Sequence, residues 1–128
     1  MGARKVMVVD DDPFMLINYK LMLVENGFEV IEAANGSEAV SFYKETRPDM
    51  VLMDISMPVM DGLAALKKIK KFDPDAKVAM VTAMGQAALV MEAFKSGAMD
   101  FVVKPLDEEQ VLGTINRALG QLSPASAD

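Results

Sequence analysis

The sequence predicts an α/β fold in which a parallel sheet of five strands is covered on both faces by five helices. Five short apolar runs rich in β-branched residues alternate along the chain with five stretches of helical periodicity. Because parallel strands need crossover helices, this alternation indicates that both faces of the sheet are buried. The length of 128 residues fits one domain, and 52% hydrophobic residues can form its core. We predict one domain over residues 1–122 and a flexible tail over 123–128.

The predicted strands are short and are separated by segments that contain turn or capping residues. They span Lys5–Val9, Phe28–Ala33, Met50–Met53, Lys77–Thr82 and Met99–Val103.

The first helix is predicted directly after the first strand. Asp12 is placed to cap its N-terminus, and Pro13 falls in its first turn, where a missing N–H costs no hydrogen bond. Gly27 suits its C-terminal end. Apolar residues at spacings of three and four predict one buried stripe, made of Phe14, Ile17, Leu21 and Val24.

The second and third helices are bounded by similar signals. The second starts near Asn35-Gly36-Ser37 and ends before Pro48. The third follows Asp61-Gly62 and ends near Asp73-Pro74. It is expected to bury Leu63, Leu66 and Ile69.

The fourth helix is predicted from about Gln86 to Ser96 and is closed by Gly97. The fifth opens with Asp107 and Gln110 at the spacing of a capping box. Its expected buried face consists of Val111, Ile115, Ala118 and Leu122.

The composition excludes several classes of function. Cysteine and histidine are both absent, so the chain has no disulfide, no thiolate or imidazole metal ligand, no serine triad and no phosphohistidine of its own. A net charge of −6 argues against direct nucleic-acid binding. No apolar run approaches the ~20 residues that span a bilayer, and no signal peptide opens the chain. We expect a cytoplasmic protein without membrane contact.

Five side chains that can bind ions or take part in reactions lie at the ends of four predicted strands. Asp10 and Asp11 come directly after the first strand, Asp54 follows the third, Thr82 ends the fourth and Lys104 follows the fifth. In a parallel sheet these ends share one edge, and ligands bind at that edge. The sequence therefore predicts that three carboxylates, a hydroxyl and an ammonium group converge.

Three neighbouring carboxylates repel one another, and a divalent cation would relieve that repulsion. Oxygen ligands without sulfur or imidazole indicate a hard ion, which favours Mg²⁺ (or Mn²⁺). Such a site suits attack by an Asp54 oxygen on a phosphoryl group, with Lys104 and Thr82 stabilising the charge on the equatorial oxygens.

An enzyme is the main alternative at this stage. Phosphatases of the haloacid dehalogenase class also use an aspartate nucleophile with Mg²⁺, but their Asp-x-Asp-x-Thr signature would need a threonine at Phe14. A P-loop hydrolase is excluded because the chain has no Gly-x-x-x-x-Gly-Lys-Ser/Thr run.

Ordered motifs from Lys5 to Gly120 give the sequence a specific resemblance. These are Val8-Val9-Asp10-Asp11-Asp12-Pro13, Met53-Asp54-Ile55-Ser56-Met57-Pro58, Met60-Asp61-Gly62, Val81-Thr82-Ala83 and Val103-Lys104-Pro105. The chain resembles response-regulator receiver domains of two-component systems, especially stand-alone regulators of the CheY type. The resemblance implies a doubly wound, flavodoxin/CheY-like sheet in the order 2-1-3-4-5.

The resemblance also implies a role for each site residue. Asp54 would be the phosphoacceptor, and Asp11, Asp54 and the Ser56 backbone carbonyl would ligate Mg²⁺, while Asp10 would hold metal-bound water. Lys104 would contact the phosphoryl group, and its bond to Pro105 is expected to be cis.

Thr82 and Phe101 would form the switch, in which the hydroxyl moves toward the phosphate and the ring turns inward. The family often has tyrosine at the position of Phe101, so only the packing role is retained. Ser56 and Met84, two residues beyond Asp54 and Thr82, differ from the Asn and Glu of the enteric chemotaxis regulator, which leaves the phosphoryl lifetime open.

The fourth helix is apolar nearly all round, which predicts a surface for a partner or a dimer. We expect the sheet to cover Leu89, Met91 and Ala93 only in part. The outward surface is predicted to consist of Ala87, Val90, Phe94 and Phe101. The receiver family similarly uses its fourth helix, fifth strand and fifth helix for output.

The resemblance predicts a regulator and not a turnover enzyme. Its phosphodonor would be a sensor histidine kinase or phosphotransfer protein, and it would control a downstream protein as a monomer or as a phosphorylation-dependent dimer. The alternative is a receiver segment of a longer DNA-binding regulator or output enzyme.

Overall fold

The computed structural model describes residues 3–120, which form a five-stranded parallel sheet with helices on both faces. The predicted tail at 123–128 lies outside the described residues, as does Leu122. The strands are β1 Lys5–Val9, β2 Glu29–Ala33, β3 Met50–Asp54, β4 Val78–Thr82 and β5 Asp100–Val103; the helices are α1 Pro13–Glu25, α2 Gly36–Thr46, α3 Gly62–Phe72, α4 Ala87–Lys95 and α5 Glu108–Leu119.

The sheet has the order β2-β1-β3-β4-β5, which confirms the predicted doubly wound topology. Every residue of β3 and β4 is buried, as both-face coverage requires. The parallel register pairs Val9 with Met53, Asp54 with Val81 and Thr82 with Val103. The carboxyl ends of four strands therefore meet at one edge of the sheet.

Two hydrophobic cores lie on opposite faces of the sheet because strand side chains alternate in direction. Met7 and Met53 belong to the core that α2, α3 and α4 cover. Val8 and Leu52 belong to the core that α1 and α5 cover. The two layers of helices hold the strand ends in a fixed relation to one another.

Side-chain caps begin four of the five helices. Asp12, Asn35 and Asp61 accept hydrogen bonds from the first backbone amides of α1, α2 and α3. Asp107 accepts from Glu109 N, but no bond from Gln110 back to Asp107 occurs among residues 3–120. The predicted cap of α5 is confirmed, and its capping-box form is wrong.

The predicted buried face of α1 is wrong. Tyr19 and Leu23 are the fully buried residues of this helix, and Met15, Leu16 and Met22 pack partly against the core. The predicted stripe points outward instead, with exposed fractions from 52% to 75% at Phe14, Ile17, Leu21 and Val24. Both faces of the helix are apolar, so periodicity could not decide which one meets the sheet.

Smaller differences concern α3 and α4. Leu66 and Ile69 are buried as predicted, whereas Leu63 is half-buried because Ala65 occupies the inward position. In α4, Ala93 is fully buried, contrary to the expected partial cover. Among residues 3–120, every helix is too short or too polar to cross a membrane.

Candidate functional site

Asp54 is the last residue of β3 and lies at the carboxyl edge of the sheet. Only 6% of the residue is exposed. Its Oδ1 accepts a hydrogen bond of 3.3 Å from Ser56 N, which ties the start of the following loop to the carboxylate. The next turn is fixed by Gly62 N, which donates to Ile55 O at 2.8 Å.

Asp10 and Asp11 bring two more carboxylates to the same edge. Asp10 is buried, and its Oδ1 accepts from Asp12 N at 2.9 Å, while Asp11 is exposed. One oxygen from each of Asp10, Asp11 and Asp54 lies within 4.8 Å of the others. The predicted convergence of the three acids is therefore present.

Asp12 takes a different role from its two neighbours. Its carboxylate accepts from Phe14 N at 2.9 Å and caps α1. The Phe14 side chain, at the position where a haloacid dehalogenase phosphatase needs threonine, is 75% exposed. The local structure thus gives no support to the phosphatase alternative.

Lys104 is the cation of the site. Its Nζ lies 3.2 Å from Asp54 Oδ2 and 3.3 Å from Asp10 Oδ2. Burial alone lowers the pKa of Lys104, but the Asp54 and Asp10 carboxylates outweigh that effect, so the pKa lies above its ordinary value. Lys104 is therefore charged at neutral pH, and the predicted cis bond to Pro105 is confirmed.

The electrostatics of Asp54 are unfavourable despite this lysine. Burial, and next the charge of Asp10, raise the pKa of Asp54, and Lys104 only partly compensates. Asp10 Oδ2 forms an ion pair with Lys104 but makes no hydrogen bond within the described residues. A buried carboxylate oxygen without a hydrogen bond, beside two further acids, is the arrangement that a divalent cation satisfies.

The donor set fits a hard metal ion. Asp10, Asp11 and Asp54 offer only oxygen, and Asp11 leaves one side of the cluster open to solvent. Mg²⁺ binds through one or two carboxylates and retains several waters, so an acidic edge that is partly open suits it. The residues present are compatible with the ion that the sequence predicts.

Thr82 lies at the end of β4 and is buried. Its hydroxyl is directed to Gln86 Oε1 at 2.6 Å and to the Ala83 carbonyl at 3.1 Å. Thr82 therefore lies at the predicted edge of the sheet, but its hydroxyl donates its shorter hydrogen bond to Gln86.

The predicted output surface lies beside Thr82. A groove of about 480 Å³ runs along α4, and its walls include Ala87, Val90, Phe94 and Phe101. The rings of Phe94 and Phe101 meet edge to face with centroids 6.0 Å apart, and both are partly exposed. All four residues border one groove that has Thr82 in its lining, but Val90, which was predicted to face outward, is half-buried against the core.

Sequence reasoning missed two residues at the site. Gln86 bonds to Thr82, Ala83 and Ser56, and its place as the polar first residue of the predicted fourth helix was the only local signal. Tyr19 is buried in α1, and burial followed by the charges of Asp10 and Asp54 raises its pKa. It was missed because it lies on the face of α1 opposite the stripe that was predicted to be buried.

Comparisons with known proteins agree with this architecture. The chain matches the response regulator receiver domain family over residues 6–116. It is 51% identical to the chemotaxis protein CheY of Bacillus subtilis and 50% identical to that of Thermotoga maritima, in each case over 91% of this chain and 98% of the relative. It also superimposes on a chain of the CheX-CheY-BeF3-Mg+2 complex from Borrelia burgdorferi, with a TM-score of 0.86 and 39% identity, over 91% of this chain and 89% of that one.

Proposed function

The chain belongs to the family of response regulator receiver domains of two-component systems, and we propose that it accepts a phosphoryl group on Asp54 to control a protein partner. One observation supports this assignment above the others. The Asp54 carboxylate lies at the sheet edge with two further acids within 4.8 Å and the Lys104 ammonium 3.2 Å away. The role is regulatory, and the expected location is the cytoplasm.

Asp11, Asp54 and the backbone carbonyl of Ser56 would hold Mg²⁺, and Asp10 would hold its water. A bound ion would neutralise charge on the phosphoryl oxygens during transfer. The Asp54 oxygen that does not hold the ion would be available to react.

In the transfer step, an Asp54 oxygen attacks the phosphorus of a phosphohistidine on a sensor kinase or phosphotransfer protein. The new P–O bond forms as the P–N bond breaks, and the imidazole nitrogen leaves with the bonding pair. Lys104 holds its charge against the equatorial oxygens, and the Thr82 hydroxyl donates to one of them. Hydrolysis of the acyl phosphate restores the carboxylate and ends the signal.

The phosphodonor is expected to contact the exposed stripe of α1. A groove of about 480 Å³ lies between α1 and the segment after β5, and Leu21, Met22 and Lys104 line it. Because Lys104 also contacts Asp54, a helix seated there would present its phosphohistidine to the acid site. Leu21→Asp should therefore slow transfer from the donor protein while labelling by acetyl phosphate stays normal.

The downstream partner is expected to bind the groove formed by α4 and β5. Its wall is apolar and continuous from Thr82 to Phe94, so a movement of Thr82 changes the shape of one end. Ala87→Glu should abolish partner binding and leave phosphorylation intact, and Ala34→Glu, a change at an exposed loop, should affect neither. Sedimentation of the phosphorylated protein distinguishes a second copy from another protein as the occupant.

The central test is intact mass spectrometry after incubation with acetyl phosphate and Mg²⁺. We expect one phosphoryl adduct that is lost in Asp54→Asn and with excess EDTA. Asp75→Asn makes the same chemical change in an exposed loop after α3 and should label normally. An adduct that persists in Asp54→Asn would refute the assignment.

The alternative of a receiver segment in a longer regulator needs a separate observation. The length of the native reading frame decides whether further domains follow.

A further inference from the structure

Gln86 occupies the N-cap position of α4 but does not cap the helix. Its backbone carbonyl accepts from Val90 N at 3.1 Å, which begins the helix, yet its side chain makes no bond to a helix amide. Glutamine is a poor N-cap residue, and the other four helices use Asp or Asn there. The side chain instead reaches back over the edge of the sheet.

The Gln86 carboxamide connects three segments of the site. Its Oε1 accepts from Ala83 N at 2.8 Å and from the Thr82 hydroxyl at 2.6 Å. Its Nε2 donates to Ser56 Oγ at 3.0 Å, two residues beyond the phosphoacceptor. Because Ala83 N can only donate, the orientation of the amide is fixed, and both ends of the carboxamide are used.

The Thr82 hydroxyl has a single proton, and its contact with Gln86 Oε1 (2.6 Å) is much shorter than its contact with the Ala83 carbonyl (3.1 Å), so the proton is directed mainly to Gln86. The hydroxyl cannot donate to Gln86 and to a phosphoryl oxygen at once. We propose that Gln86 is a positioning residue, a latch that competes with the phosphoryl group for the Thr82 hydroxyl and holds the first turn of α4 in the unphosphorylated arrangement. This inference rests on the proposed function and adds a restraint that phosphorylation must break.

Gln86 links the acidic edge of the sheet to the groove on α4. Gln86 begins the helix whose first turn contains Ala87 and Val90, both of which line that groove. Gly85, just before it, has a φ of +89°, which glycine adopts without strain, and no neighbouring atom lies within 4 Å of where its Cβ would be. Release of Thr82 therefore frees the N-terminus of α4 and one end of the output groove.

Gln86→Met tests the latch because methionine keeps the length of the side chain and removes both hydrogen-bonding ends. Beryllofluoride with Mg²⁺ serves as the phosphoryl mimic, and amide NMR titration gives its Kd. The variant should bind about threefold to tenfold more tightly, since the unphosphorylated state alone loses a neutral hydrogen bond. Gln110→Met, the same change at an exposed position of α5, should bind like the wild type. Ser56→Ala removes one end of the latch and should give a smaller change of the same sign.

Two further readouts separate a latch from a merely structural residue. In a Thr82→Ala background, Gln86→Met should no longer change the Kd, because the competition acts through the hydroxyl. Without beryllofluoride, the Ala83 amide proton should exchange faster with solvent in Gln86→Met than in the wild type or Gln110→Met.

If Gln86→Met has the same Kd for beryllofluoride as the wild type, or a larger one, the latch is overturned. It is also overturned if Gln86→Met still lowers the Kd in the Thr82→Ala background. If the wild-type protein does not bind beryllofluoride, or binds it no more tightly than Asp54→Asn does, the proposed function fails and the latch fails with it.

Discussion

Gly62 lies against the backbone of the strand that ends in Asp54. It is the first residue of α3, and its amide donates to Ile55 O at 2.8 Å. A Cβ at this position would overlap the Asp54 carbonyl oxygen and would lie 2.9 Å from its carbonyl carbon and 3.0 Å from Ile55 Cα. Gly62→Ala thus forces two backbone segments apart, by on the order of 1 Å if carbon and oxygen are to reach van der Waals contact.

The expected loss of stability is large for a single methyl group. Overpacking of a core costs roughly 1–3 kcal/mol, and the upper end applies here because no side chain can rotate away. For a domain of this size, about 3 kcal/mol lowers the Tm by roughly 12 °C. The shift also displaces the carboxylate, and a misplacement of about 1 Å can slow a reaction about 100-fold.

Gly113→Ala is the matched control for Gly62→Ala. Gly113 lies within α5, and its Cβ would meet only the far end of Arg117, at 3.4 Å. Alanine in a helix should stabilise the protein by about 0.5–1 kcal/mol and leave labelling unchanged. Urea denaturation measures the free energy of unfolding, and the rate of adduct formation with acetyl phosphate measures the site. A Gly62→Ala protein with normal stability and a normal labelling rate would refute the reasoning.

Three further predictions follow from local strain and charge. Val59→Asn should raise the free energy of unfolding by about 1 kcal/mol in urea titrations, because Val59 is β-branched, exposed and held at a φ of +69°; a loss of stability would contradict this. In EDTA at pH 7, Asp54→Asn should melt at a higher temperature than the wild type, since the pKa of Asp54 is raised by burial and by Asp10. That gap should narrow as pH falls through the raised folded pKa of Asp54 and should be gone below the ordinary value of about 3.9, and a gap independent of pH would contradict it. Tyr43→Phe should lower the free energy of unfolding by about 1 kcal/mol at pH 7, because the hydroxyl donates to Asp73 at 2.7 Å and lowers the pKa of that carboxyl. Measured by chemical denaturation, this loss should disappear as pH falls from about 3.9 through the lower folded pKa of Asp73.

The successes and failures of sequence reasoning divide by the range of the interaction. Asp12, Asn35 and Asp61 cap helices by accepting hydrogen bonds from amides two or three residues ahead. Such contacts can be predicted because both partners lie in the same short stretch of sequence. The face of α1 was misassigned because Phe14 and Leu23 are both apolar, and only packing against the sheet, at β1 and β2, selects between them. Gln86 gave no clear signal because its side chain links Thr82 to Ser56, and Ser56 is 30 residues away in the chain.

The sequence alone determined the alternation of strands and helices, and with it the edge where Asp10, Asp54, Thr82 and Lys104 meet. Parallel strands must end at the same side of their sheet, so residues that follow strands converge whatever the details of packing. Tertiary structure decided what those groups do to one another: how deeply Asp54 is buried, how closely Lys104 approaches it and which acceptor holds the Thr82 proton. Burial and hydrogen-bond partners depend on residues distant in the chain, and no local pattern specifies them.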